Sequence, residues 1–182
     1  MSGNLRQLDS YASIQSFSNF DGSGSAYRTC GFKIAKGVSI EQSIAKSWKE
    51  DGEFKDYKGV TDLKTSAKIG KIGNTSINFS SRSRMSYNDN TSAFAQRIAV
   101  GISVPISDNV SFYFTPNSTT TVDFKKNTIS EPTASIYTGF DSKFNIGKSN
   151  CSLAAELQSY DLINNPTAKS KTGFNMIFKV NF

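Results

Sequence analysis

Hydrophobic and polar residues alternate along most of this chain of 182 residues. Between Arg97 and Val104 the even positions carry Ile98, Val100, Ile102 and Val104, whereas the odd positions carry one charged residue and small ones. A period of two is that of a β-strand whose two faces meet different surroundings. Signals for helices are weak almost everywhere, so the pattern predicts an all-β chain.

Marking every run of this kind predicts about ten strands. The connections after the second, fourth, sixth and eighth strands are short, whereas those after the third, seventh and ninth are long. Short turns at one end and mostly longer loops at the other are typical of an up-and-down transmembrane barrel. The predicted strands lie near residues 8–18, 25–35, 38–48, 62–71, 75–87, 93–104, 110–119, 133–144, 151–159 and 172–182.

The final segment has an apolar residue at every second position from Phe174 to Phe182. With such a strand the sequence resembles the small outer-membrane β-barrel proteins of Gram-negative bacteria, whose final strand ends in Phe and serves as a recognition signal for the insertion machinery. The resemblance implies a bacterial outer-membrane location, with membrane lipid and the insertion machinery as partners. It also implies an insertion signal formed by Phe174, Phe178, Val180 and Phe182.

We therefore expect an up-and-down antiparallel transmembrane β-barrel of ten strands, with eight or twelve as alternatives, that forms a single domain over residues 1–182. The competing interpretation is a soluble barrel or sandwich, in which the apolar face would point inward. Strands of roughly 10–13 residues favour the membrane barrel, because they suit a tilted crossing of ~25 Å of hydrocarbon. No secretory signal opens the chain, so export requires that the numbering begin after its removal. Five polar residues fit the lipid-facing side poorly: Gln42, Lys46, Ser81, Ser83 and Gln96.

The face of the strands opposite the apolar one determines where the net positive charge of the chain lies. The chain has a net charge of +6, and no apolar run approaches the roughly 18 residues of a membrane helix. If the apolar face meets lipid, most of the excess positive charge lines the interior, where a basic wall attracts anions and repels cations. The predicted pore-lining residues are Lys33, Lys64, Lys68, Arg82, Arg84, Arg97, Glu41, Asp141, Glu156, Tyr113 and Tyr137, with Lys143 and Lys179 on the same face.

Two interpretations of function remain open. In the first, the protein is a narrow channel whose basic lumen favours small anions or acidic sugars, because Tyr113 and Tyr137 offer flat rings beside the cations. This lumen chemistry resembles that of the narrow channels for acidic oligosaccharides, although those barrels have twelve strands. In the second, Glu41, Asp141 and Glu156 pair with the bases and help to plug the interior. The barrel would then be a structural or adhesin-type protein that acts through its extracellular loops or a partner protein.

The second interpretation depends on the predicted long loops, which are residues 49–61, 120–132 and 160–171. Apolar side chains on exposed loops are candidate contact points for a partner surface. Those side chains are Tyr57, Phe124, Leu162 and Ile163.

Catalysis is not expected, because the chain contains no histidine. The known outer-membrane barrel enzymes that it resembles in architecture use a histidine as base or partner. No metal-ligand spacing, phosphate-binding glycine loop or cofactor motif is present in the sequence. Basic residues are distributed around the chain without a nucleic-acid-binding motif, so nucleic acid is not an expected partner. We expect a monomer without cofactors.

Overall fold

The computed structural model describes residues 9–20, 22–90, 92–159 and 172–181. Within these residues the chain forms eleven β-strands and no helix that could span a membrane. The strands are β1 (Ser10–Asn19), β2 (Gly24–Ala35), β3 (Val38–Trp48), β4 (Phe54–Ile72), β5 (Thr75–Tyr87), β6 (Ser92–Pro105), β7 (Val110–Asp123), β8 (Thr128–Ile129), β9 (Thr133–Ile146), β10 (Ser149–Ser159) and β11 (Thr172–Asn181).

Ten of these strands close into a single antiparallel barrel. Sequence neighbours pair around the sheet, β7 pairs with β9, and β1 pairs with β11, so the first and last strands meet. The remaining strand, β8, has two residues and pairs only with the end of β7. The prediction of an up-and-down barrel with ten strands is confirmed.

The apolar face of each strand points away from the barrel axis. Ile44 and Ile98 are 63% and 51% exposed, whereas Asp62 and Asn175 are 1% and 0% exposed. Such a distribution inverts that of a soluble protein, where large apolar side chains are buried and charged ones are not. It is the arrangement of a transmembrane β-barrel, whose strands are apolar outside and polar inside. The soluble-barrel alternative is therefore wrong.

Two strands are longer than the sequence pattern indicates. Strand β4 begins at Phe54 rather than near residue 62, so the predicted long loop 49–61 shortens to residues 49–53. Tyr57 therefore lies within β4 instead of in a loop. Strand β7 likewise continues to Asp123, into the predicted loop 120–132. Charged residues in these extensions hid them, because a strand that continues beyond the hydrocarbon layer has no need of an apolar outer face. The predicted loop 160–171 lies outside the described residues.

Two of the short turns are one residue shorter than they would be if the strands on either side paired without interruption. In the β2–β3 hairpin Val38 pairs with Ala35, and the register shifts at Ile34. The β4–β5 hairpin shifts in the same way at Ile69. Gly37 in the first turn has a φ of 75°, which favours glycine. A β-bulge in each hairpin thus accommodates the extra residue and keeps the rest of the strand in register.

Polar residues on the outer wall are bonded to one another. The side-chain amide of Gln42 donates to the Tyr87 hydroxyl at 2.9 Å and accepts from the Thr61 hydroxyl at 2.7 Å. Ser83 donates to the Gln96 amide oxygen at 2.6 Å. Pairing lowers the cost of placing polar groups against hydrocarbon, so these residues fit the outer face without a change of register. The other two outward polar positions also have partners: Lys46 lies beside the Phe54 ring and Ser81 contacts the Thr65 hydroxyl.

An aromatic ring covers Gly31 on the inner wall. Gly31 pairs directly with Tyr11, and a Cβ at this glycine would overlap the Tyr11 ring. We expect Gly31→Ala to lower the free energy of unfolding by about 2 kcal/mol, because the ring must leave its position. The matched control is Gly70→Ala, since a Cβ at Gly70 meets no atom within 4 Å. Urea unfolding of the detergent-refolded proteins measures both, and equal stability of the two variants would contradict the packing argument.

Closure of the barrel predicts heat-modifiable migration in gel electrophoresis. Every barrel strand is hydrogen-bonded on both sides, so no free edge is available from which detergent can open the sheet at room temperature. The refolded protein should migrate at one position without heating and at another after boiling. Identical migration under both conditions would argue against a closed barrel.

Candidate functional site

Three basic residues stand side by side on the inner wall. Lys64 on β4 pairs directly with Arg82 on β5, and Arg82 pairs directly with Arg97 on β6. We call these three residues the basic row. Like charges directly opposite each other on adjacent strands destabilise a sheet unless counter-charges are near. The positions of the acidic groups around the basic row therefore determine which of its positive charges are neutralised.

Asp62 neutralises Arg84, which lies on the same strand as Arg82. The Arg84 Nε and Nη2 atoms each donate to one carboxylate oxygen of Asp62, at 2.8 and 2.7 Å. Asp62 is fully buried, and the two residues are directly paired between β4 and β5. Asp62 is not among the residues predicted to line the interior, although it lies two positions before Lys64 and therefore on the same face. That spacing was the available signal, and the predicted start of β4 near residue 62 obscured it.

Glu41 neutralises part of the charge on Lys64. Its carboxylate lies 2.6 Å from the Lys64 ammonium and accepts a hydrogen bond from the Tyr11 hydroxyl at 2.5 Å. Tyr11 reaches Glu41 across Gly31, since these three residues are aligned on β1, β3 and β2. One end of the basic row thus has a carboxylate partner.

Glu156 is held by neutral donors instead of by a base. It accepts hydrogen bonds from the Tyr113 hydroxyl at 3.0 Å, from the Asn175 amide at 2.9 Å and from the Gln158 amide. No Lys or Arg of the described residues lies within ion-pair distance of Glu156. The expectation that Glu156 could pair with an interior base is therefore not met by a direct contact.

Arg82 is the member of the basic row with the fewest partners. Its Nε is buried and has no hydrogen-bond partner among the described residues. The guanidinium of Arg97 makes a cation–π contact 5.2 Å from the centre of the Tyr137 ring, and no carboxylate of the described residues lies within ion-pair distance of it. Positive charge is therefore concentrated at Arg82 and Arg97.

Three cavities adjoin one another along the interior. The first, about 470 Å³, lies at the short-turn end, and the second, about 340 Å³, is central. The third, about 520 Å³, lies at the long-loop end. The basic row lines both the first and the second cavity, and Phe17, Ser25 and Tyr27 line both the second and the third. The basic row therefore stands at the junction between the short-turn end and the centre of the barrel.

The other predicted interior residues are Lys33, Lys68, Asp141, Lys143 and Lys179, and two of them, Lys33 and Lys179, line the first cavity together with the basic row. Lys33 is 3.8 Å from Asp9 in an exposed ion pair, and Lys68 is exposed on the inward-facing side near the β4–β5 turn. Asp141 is half-buried on β9. Lys143 and Lys179 line a further cavity of about 360 Å³, and the Lys179 ammonium also lies 3.7 Å from the centre of the Tyr11 ring.

The residues of the predicted insertion signal share the outer face of β11. Phe174 is exposed, and Phe178 and Val180 follow it at even positions. Phe178 stacks on Phe144 of β9 with ring centres 6.3 Å apart. Phe182 lies outside the described residues.

The described part of the chain contains no cluster of metal-ligating side chains. No group of three or more His, Cys, Asp or Glu side chains there is arranged to hold a metal ion. Asp62, Glu41 and Glu156 are instead engaged with Arg84, Lys64 and neutral donors, respectively.

Comparison with known proteins finds similarity in structure only. No protein-family model and no curated protein matches the chain. Among solved structures, the KdgM porin is 7% identical with a TM-score of 0.48, over 94% of this chain and 99% of that one. The N-terminal barrel of Pseudomonas aeruginosa OprF is 13% identical with a TM-score of 0.39, over 97% and 100%. The outer-membrane protease OmpT of Escherichia coli is 8% identical with a TM-score of 0.37, over 97% and 96%. Identities this low say nothing about the activity of the present chain.

The Asp62–Arg84 pair predicts a pattern of stability in a double-mutant cycle. Either Asp62→Asn or Arg84→Gln leaves one buried charge without its partner and should cost about 3 kcal/mol. The double variant should be more stable than either single variant, because it removes both charges together. Denaturant unfolding followed by the fluorescence of Trp48, the one tryptophan of the sequence, measures all four proteins. Additive effects in the double variant would contradict a coupled pair.

Proposed function

We propose that this bacterial outer-membrane β-barrel protein is a narrow channel whose basic lumen favours small anions or acidic sugars. The observation that carries the proposal is the basic row, in which Arg82 has no acidic partner among the described residues, at the junction of two adjoining cavities. A solute that moves between the two ends of the barrel passes the basic row. Positive charge at a narrow, partly desolvated point lowers the free energy of an anion there and raises that of a cation.

The distribution of acids supports an open basic wall over a fully neutralised one. Asp62 and Glu41 each engage one base, Arg84 and Lys64 respectively. Arg82 and Arg97 keep their charge without a carboxylate within ion-pair distance in the described residues. Unpaired charges of this kind are costly in a dry interior, so they favour water and mobile anions in the lumen.

Acidic sugars are the finer part of the proposal. Tyr137 already stacks with the Arg97 guanidinium in the central cavity, which places a flat ring beside a cation. A carboxylated sugar needs both features, because its ring is apolar on one face and its carboxylate is charged. Tyr113 contributes less directly, since its hydroxyl is engaged by Glu156.

A structural or adhesin-type barrel that acts through its loops or a partner protein is the second candidate function. It is favoured by apolar side chains at the long-loop end, where Phe20 and Phe124 are 72% and 53% exposed. Tyr57 is also exposed there, on the extension of β4. Leu162 and Ile163, which were expected to add to this surface, lie outside the described residues.

The remaining parts of the proposal concern chemistry and partners. Either function is one of transport or binding and not of catalysis, a view that the absence of histidine supports. We also propose that the barrel is a monomer in lipid, without cofactors or nucleic acid. Its insertion would be directed by the outer face of β11 through Phe174, Phe178, Val180 and Phe182.

Single-channel recording in a planar bilayer under a potassium chloride gradient tests the channel. The reversal potential should show that chloride is more permeant than potassium. Arg82→Ser should lower this preference roughly fivefold, because one charge near the path contributes on the order of 1 kcal/mol. Arg28→Ser is the matched control, since Arg28 is exposed on the outward-facing side of β2 and its loss removes the same charge.

Three results would count against the channel. Cation preference, or an equal effect of Arg82→Ser and Arg28→Ser, would remove the role of the basic row. Absence of conductance at every voltage would favour the function centred on the loops.

A further inference from the structure

Two arginines on β5 have the same orientation but different partners. Arg82 and Arg84 are two residues apart, so both point into the barrel, and both line the central cavity. Arg84 uses the edge formed by Nε and Nη2 to hold both oxygens of the Asp62 carboxylate, at 2.8 and 2.7 Å. Arg82 makes no hydrogen bond or ion pair with any described residue, and its Nε is buried without an acceptor.

The carboxylates nearest to Arg82 are each engaged by another basic residue. Its direct neighbours across the strands are Lys64 and Arg97, both basic. The carboxylate of Glu41 is engaged by Lys64, and that of Asp62 is engaged by Arg84. A third carboxylate beside Arg82 would relieve the repulsion within the basic row and would satisfy a desolvated guanidinium.

We propose that Arg82 is a binding site for the carboxylate group of a small solute, which would contact the two terminal Nη atoms of the guanidinium, since the Nε is buried. The inference rests on the proposed function in one respect, since the solute reaches Arg82 through the lumen. A guanidinium edge presents two parallel N–H groups that match the two oxygens of a carboxylate. Lys64 and Arg97 add charge on either side, and the Tyr137 ring, next to Arg97, lines the same cavity as Arg82. The central cavity of about 340 Å³ falls within the size range of small-molecule sites.

This assignment separates the two arginines by role. Arg84 is a structural residue, because its charge is already balanced by a buried acid of the chain itself. Arg82 is the residue that selects the ligand, because its partner must come from outside the chain. Selection depends on the shape of the guanidinium as well as on its charge, so lysine cannot replace it fully.

Isothermal titration of the detergent-refolded full chain tests the site without requiring conductance. The probes are potassium glucuronate, potassium acetate and glucose. Glucuronate should bind with a dissociation constant of roughly 1 mM, as expected for two charge-assisted hydrogen bonds. Acetate should bind more weakly at the same site, since it lacks a sugar ring, and glucose should not bind, since it lacks the carboxylate.

Arg82→Lys is the decisive variant, because it keeps the positive charge and removes the two-donor edge. It should weaken glucuronate binding at least tenfold, whereas the same substitution on the outer wall, Arg28→Lys, should leave binding unchanged. Heat-modifiable migration of each variant shows that the barrel has folded. Equal binding by Arg82→Lys and the wild type would overturn the site, and so would equal binding of glucose and glucuronate or no binding of any probe.

The outcomes distinguish this inference from the channel proposal. Glucuronate binding is measured by titration in detergent, whereas the preference for chloride over potassium is measured by the reversal potential in a bilayer, so either can fail without the other. Carboxylate binding lost in Arg82→Lys, in a barrel that conducts no ions, would leave the site intact and remove the channel.

Discussion

Backbone hydrogen bonding in a medium without water is the constraint on which the whole structure depends. A strand in hydrocarbon must pair its N–H and C=O groups on both sides, and a sheet can do so for every strand only by closing. Contact between β1 and β11 completes that closure here. Once the sheet is closed, each side chain has only two environments available, lipid or lumen, and the alternation of residues assigns one to each position.

Closure also determines how the interior charges are arranged. Residues that are far apart in sequence become direct neighbours around the barrel, and Lys64, Arg82 and Arg97 form one such set on three successive strands. In a narrow lumen with walls of low dielectric constant, these charges interact more strongly than they would on a soluble surface. The interior is therefore best described by naming the acidic partner of each basic residue. Arg84 has Asp62 and Lys64 has Glu41, while Arg82 has no acid among the described residues.

The outer wall illustrates how far local pattern can mislead. Gln42 breaks the apolar alternation of β3, yet Thr61 and Tyr87 on neighbouring strands satisfy its amide. Those partners lie 19 and 45 residues away in sequence. A polar residue that breaks the apolar alternation of one strand is thus hydrogen-bonded to residues of neighbouring strands, and the strand needs no bulge to accommodate it.

The sequence by itself determined the strands, their alternating faces, the inward face that carries Lys64, Arg82 and Arg97, and the ends at which turns are short, because all of these depend on residues close together in the chain. Only the tertiary structure decided the tight turns with their bulges at Ile34 and Ile69, the extension of β4 to Phe54, and the burial of Asp62 against Arg84. These features depend on the register between strands, which side-chain alternation constrains to even or odd positions but does not specify residue by residue. For the same reason, the difference between Arg82 and Arg84 is invisible in the sequence, where they are two equivalent arginines on one face.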